Sequence, residues 1–216
     1  MARSEAAKRA QALLEGETGR TYAEEAGIRV RDTPQPMYQL LVLAHLLSAR
    51  IRAATAVAAA RALFSAGLRS PRRMRDATWQ ERVDALGEGG YRRYDERTAT
   101  QLGDEAELLL EKYGGDLRRM RAEADGDVDA LRAALREMPG IGPAGADIFL
   151  REAQAVWPEV SPYFDQRALE GARRAGLPAD RAALADLVPR EDLPALAAAL
   201  VRTSLDRPST RAENAA

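Results

Sequence analysis

Apolar residues return at helical spacing along almost the whole chain, and no stretch alternates every second position long enough to predict a strand. Ala6, Ala10, Leu13 and Leu14 share one side of a helix over 5–15, ended by Gly16 and Gly19. A second short helix is expected over 21–26. Asp32-Thr33-Pro34 with Pro36 reads as a break and a crossing between two lobes. From Met37 to Ile51 the chain is apolar in nearly every direction. Met37, Leu40, Leu41, Ala44, Leu47 and Ile51 keep the helical period, and Val42, Leu43 and Leu46 fill the remaining arc. Such a helix is buried on most sides. Further helices are expected from the Ala-rich run 53–64, from Trp79, Val83 and Leu86, and from Leu102, Ala106, Leu109 and Tyr113. Beyond the centre, helices are expected over 166–174, around Ala183, Leu184 and Leu187, and over 193–201.

The most informative stretch is 131–168. Val128, Leu131 and Leu135 lie on one helical face, and Pro139-Gly140 stops that helix. Gly142 opens backbone conformations closed to other residues, and Pro143 suits the first turn of a new helix. Ala144, Ile148 and Phe149 continue the apolar face. Two short helices joined by Gly-Ile-Gly form a helix-hairpin-helix. Its glycines leave backbone N–H groups uncovered at the positive end of the second helix, where a phosphate docks without a basic side chain.

This arrangement resembles the endonuclease III superfamily of DNA glycosylases. MPGIGPAGADIFL is similar to the LPGVGRKTANVVL type of hairpin, VSPYFDQRAL to the segment carrying the catalytic aspartate, and YQLLVLAHLLSAR to the first core helix, FELLIAVLLSAQ. The three occur in the family's order and span roughly residues 36 to 205. The resemblance implies an all-α fold of two helical lobes, with the site in the cleft. One lobe would be 34–155, carrying the hairpin. The other would combine 1–33 with 156–206, and 207–216 would be a disordered tail. It also implies a DNA-binding set of Gly140, Ile141, Gly142, Ala144, Gly145, Arg50, Arg92 and Arg93, and a catalytic Asp165.

The chemistry follows. Breaking an N-glycosidic bond builds positive charge on the sugar, and a nearby carboxylate stabilises that charge and orients or activates water. Asp165 is the candidate. Asp is also a strong helix N-cap, and the two roles are compatible. Bifunctional relatives carry a lysine just after the second hairpin glycine, which attacks the sugar and leads to strand cleavage. Ala144 stands at that position and has no nucleophile, so the resemblance implies base release without lyase chemistry. Family members often have Gln where Arg50 stands, to fill the gap left by a flipped base. A guanidinium has the flat face to do the same, the alternative for Arg50 being a solvated arginine at a helix end.

Composition narrows the picture further. The chain has 216 residues, 46% of them hydrophobic, and no cysteine. That excludes disulfides, thiolate zinc sites and the four-cysteine iron–sulfur cluster of many relatives. No cofactor is expected, beyond room for a monovalent cation at the hairpin. No apolar run reaches the roughly 18 residues of a membrane span. The N-terminus lacks the apolar core of a signal peptide. These features predict a cytoplasmic protein, and the resemblance implies a nucleoid-associated monomer whose partner is double-stranded DNA. The net charge of −1 argues mildly against nucleic acid, but a balanced chain can hold a basic face.

Arg92, Arg93 and Arg97, interleaved with Tyr91 and Tyr94, are suited to phosphates and stacking, or are ordinary surface residues. Arg69, Arg72, Arg73 and Arg75 form a second basic cluster, read as solvated surface. Arg118, Arg119 and Arg121 lie close to Glu123, Asp125 and Asp127 and are assigned to the surface. His45, the one histidine, has no partner acid visible in the sequence and reads as a packed, hydrogen-bonded core residue. Tyr38, Trp157, Tyr163 and Phe164 are candidates for pocket walls that sequence does not separate from core. Three functions remain open: a monofunctional DNA N-glycosylase acting on damaged or mismatched bases, a non-catalytic protein on the same scaffold that binds distorted duplex, and an all-α interaction domain whose hairpin is only a structural turn.

Overall fold

A computed structural model describes residues 2–15 and 19–206. Gly16 and the segment 207–216 lie outside the described residues. Among the described residues the chain is all-helical. In order the helices are α1 (Ala2–Leu14), α2 (Tyr22–Glu25), α3 (Pro34–Ser48), α4 (Ala53–Ser65), α5 (Pro71–Asp76), α6 (Trp79–Glu88) and α7 (Asp95–Tyr113). Then follow α8 (Leu117–Glu123), α9 (Val128–Arg136), α10 (Pro143–Ala153), α11 (Gln166–Arg174), α12 (Arg181–Ala185) and α13 (Leu193–Leu205).

The chain divides into two compact units, 21–163 and 1–20 with 164–216. These bounds differ from the expected 34–155 because residues 21–33 and 156–163 are tied into the larger unit. Buried Glu152 of α10 accepts the N–H of Tyr22 at 2.9 Å and faces that of Ala23 at 3.4 Å. The indole of Trp157 donates to Asp32 at 3.0 Å. Arg121 ties both segments to α8, donating to Asp32 and to both carboxylate oxygens of Glu159 while lying over the Trp157 ring. The expectation that Arg121 is plain surface is therefore corrected. Arg118 is also paired, but with Asp116, the N-cap of its own helix, rather than with the acids that follow α8.

In the larger unit α3 is the central element. Met37, Tyr38 and every residue from Leu40 to Leu46 are buried, as its all-round apolar pattern predicts. α4, α8 and α10 pack on it. The helix starts at Pro34, not at Met37, so the expected break 32–36 is partly its first turn. Proline fits there because the first N–H groups of a helix lack intrahelical partners. α5, α6 and α7 form a second group, stitched by Arg82, whose guanidinium donates to the carbonyls of Met74, Ala77 and Ala99.

The smaller unit packs Ala10, Phe164, Ala168, Ala172, Leu184, Leu196 and Leu200 into its own core. Here α11 meets α13 at Gly171, where an added Cβ would lie 1.8 Å from the Leu200 carbonyl oxygen. Tyr38, Trp157 and Phe164 are all core residues with no exposed surface, which settles the packing alternative for these three.

Candidate nucleic-acid interface

The hairpin forms as its sequence dictates. α9 ends at Arg136, and Ile141 donates its N–H to the Met138 carbonyl at 3.0 Å to close the turn. Gly140 has φ +83°, a left-handed conformation that favours glycine. It also lies close against the ring of His45: a Cβ there would stand 2.2 Å from Cε1 and 2.4 Å from Nε2. Gly142 is the N-cap of α10, in ordinary extended backbone, with no side-chain cap and with Pro143 in the first turn. A Cβ on Gly142 would meet no atom within 4 Å. The first amides of an eleven-residue helix therefore open onto free space.

That space is a cavity of about 770 Å³ within the larger unit. Its walls are the end of α3 with Ala49 and Arg50, Tyr91 and Tyr94 with the first turns of α7, and the hairpin 136–142. Arg50, Arg97 and Arg136 all line it. None of the three makes a hydrogen bond or ion pair with a described residue. Glu137, the acid in the wall, is taken by Lys112. A concave surface with free hairpin amides and three uncommitted guanidiniums suits an anionic, chain-like ligand.

The sequence candidates fall into three groups. Gly140, Ile141, Gly142 and Arg50 line the cavity. The Ile141 side chain is buried, so only its backbone faces outward, and Gly145 is buried against Ile141 and Ser48. Ala144 is exposed on the first turn of α10. Arg92 and Arg93 are exposed just before α7 but do not line the cavity; Arg93 stacks over Tyr94 at 5.2 Å. Asp165, in the smaller unit, is the N-cap of α11 and accepts the Ala168 N–H at 3.1 Å. Tyr163 is half-buried and donates to Asp147 at 2.7 Å, and Arg132 holds the same carboxylate. Sequence reasoning passed over Arg136, which sits in the last turn of α9 and reaches the cavity because the hairpin folds back beside it.

It also passed over Glu105. His45 is buried, as expected, but it does have a partner acid: its Nδ1 and Glu105 Oε2 share a hydrogen bond at 3.0 Å. Burial pushes the Glu105 carboxyl up from its ordinary value, and the bond to His45 partly opposes this. The signal was present, since Glu105 lies between Leu102 and Leu109 on the buried stripe of α7. A carboxylate there needs a partner.

The sequence contains no cysteine, so no thiolate is available as a metal ligand. No group of three His, Cys, Asp or Glu side chains among the described residues is placed to hold a metal ion. No helix among them is long and apolar enough to cross a membrane.

No protein-family profile matches the sequence, and no curated protein matches it. Among solved structures, the chain is similar to a trapped endonuclease III–DNA covalent intermediate in an estranged-adenine complex. The two are 19% identical, with 84% of this chain and 81% of that chain covered and a TM-score of 0.49.

Proposed function

We propose that this chain binds double-stranded DNA through the hairpin and acts as a monofunctional N-glycosylase on a flipped, damaged or mismatched base. The observation that carries the reading is the uncapped start of α10 at Gly142, open to a cavity walled by Arg50, Arg97 and Arg136. Backbone phosphate accepts from the hairpin amides, and the arginines supply the salt-dependent part of the affinity. Asp165 serves as the carboxylate that stabilises charge on the sugar and orients water, its Oδ1 fixed by the Ala168 amide. Ala144 supplies no nucleophile, so the base leaves by hydrolysis and the strand stays intact.

A second reading, a non-catalytic binder of distorted duplex, draws on the same Asp165 bond, which is fully explained by capping. A panel of duplexes carrying single lesions or mismatches separates the two. Base release by the wild type, lost in Asp165→Asn, establishes the enzyme. Duplex binding with no release across the panel establishes the binder. Covalent trapping of the protein on an abasic strand by borohydride would overturn the assignment of hydrolysis without lyase chemistry.

A further inference from the structure

The buried pair His45–Glu105 lies directly under the hairpin, and a core-packing role leaves several of its features unexplained. His45 has only 3% of its surface exposed, yet it lines the cavity. Its Nδ1 is committed to Glu105, while Nε2 makes no hydrogen bond with a described residue. The ring edge carrying Cε1 and Nε2 is the one against Gly140. Deeper in the core, Glu105 Oε1 and the Tyr38 hydroxyl are both buried without a partner. A core built only for stability would satisfy these atoms or replace them with carbon.

We propose that His45 is a positioning residue for the hairpin and that the His45–Glu105 pair holds a proton that duplex binding requires. This rests on the reading of the hairpin as a phosphate-binding element. With the proton present, ring and carboxylate together carry no net charge. Without it, a negative charge is left buried beneath the turn that receives a phosphodiester. The two negative charges repel, so the docked phosphate favours the protonated pair, and by linkage a higher proton concentration favours docking.

The other charged groups around the ring do not supply this coupling. Arg50 follows α3, Arg97 stands on α7 and Arg136 ends α9; all keep their charge across the relevant pH range. Glu137 is committed to Lys112. Helix α4 brings no titratable side chain to the cavity. On α10, Asp147 is held by Arg132 and Tyr163, and Glu152 by the amides of α2; neither lines the cavity. Tyr38 on α3 and Arg82 on α6 act on Glu105's side of the pair. Tyr38 stays neutral because burial raises its pKa, and Arg82 is fixed on three carbonyls.

The test is duplex affinity at fixed salt from pH 5.5 to 8.5, for wild type and Glu105→Gln. The wild type is expected to weaken as pH rises, by up to about tenfold per pH unit where the pair titrates. Gln at 105 keeps an acceptor for Nδ1 but removes the charge, so the profile should move to lower pH by about one unit or more. A purely structural role would lower affinity by the same factor at every pH. Parallel profiles for the two proteins, or a flat wild-type profile, therefore overturn the inference. Should Glu105→Gln fail to fold, the wild type still decides. His45 is the one histidine, so its ring resonance is unambiguous, and at fixed pH it should move toward its low-pH position when duplex is bound. A resonance that duplex leaves in place at every pH overturns the proposal. Absence of salt-dependent duplex binding at every pH removes the phosphate-binding reading itself, and this inference with it.

Discussion

Two glycines, two residues apart, should respond in opposite ways to the same methyl group. Gly140→Ala places a Cβ 2.2 Å from the His45 ring at a φ of +83°. The left-handed backbone costs a side-chain-bearing residue about 1–2 kcal/mol. The overlap adds about 1–3 kcal/mol, because the ring cannot withdraw without leaving Glu105 unpaired in the core. The expected loss is about 3 kcal/mol, or roughly 10 °C in melting midpoint for a unit of this size. Gly142→Ala meets no atom within 4 Å and sits at φ −88°, so its stability should stay within about 0.5 kcal/mol of wild type. Its methyl group instead enters the cavity where a phosphate would approach the α10 amides. Losing one hydrogen bond to a charged group costs about 1.5–3 kcal/mol, which is tenfold or more in Kd. Thermal unfolding by circular dichroism, with a duplex titration at one salt concentration, reads both. A Gly142→Ala protein that binds like wild type would refute the docking geometry. A Gly140→Ala protein that melts like wild type would refute the contact with His45.

Asp165→Asn should leave the melting midpoint unchanged, because Asn caps a helix as well as Asp, whereas Asp165→Ala should lose about 1 kcal/mol; base release should vanish in both. Equal destabilisation by the two changes, measured by urea unfolding, would mean that the charge and not the cap matters to the fold. Glu152 is buried and its carboxyl is raised from 4.5 to about 7. A folded pKa above the unfolded one gives stability present in full below pH 4.5 and lost as pH rises through 7, by about 3 kcal/mol in all. Urea midpoints at pH 5 and pH 8 should therefore differ more for wild type than for Glu152→Gln, and identical differences would contradict the assignment. Arg121→Ala should cost about 1–2 kcal/mol, since it strands Glu159 and Asp32 and uncovers Trp157. Arg118→Ala, which breaks a more exposed pair, should cost less than Arg121→Ala in the same assay.

What the sequence disclosed and what it concealed divide along one physical line: whether the cause of a feature is local. The hairpin was legible because its determinants lie within a few residues. Proline and glycine stop one helix, glycine and proline start the next, and an apolar period on either side fixes the faces. Helix α3 was legible for a similar reason, although its start was misplaced because proline can open a helix as well as break one. Long-range partners were not legible. Glu105 lies 60 residues from His45, Asp32 lies 89 from Arg121, and Glu152 lies 130 from the Tyr22 amide. Each of those residues looked ordinary beside its chain neighbours. One trace of them did survive in the pattern, namely a charged residue inside an apolar arc: Glu105 on α7, and Arg82 on a helix marked by Val83 and Leu86. A buried charge must be answered somewhere, so such a position predicts a distant partner even when it cannot name one. Applied to α10, the same rule marks Asp147, Arg151 and Glu152 as a run of charge on a helix that is mostly buried. Asp147 is answered by Arg132 and Tyr163, Arg151 donates to the Asp147 carbonyl, and Glu152 is answered by the start of α2, side chains and amides that anchor the hairpin's second helix. The polar residues that interrupt the apolar pattern thus do as much to hold the hairpin in place as the glycines that first drew attention to it.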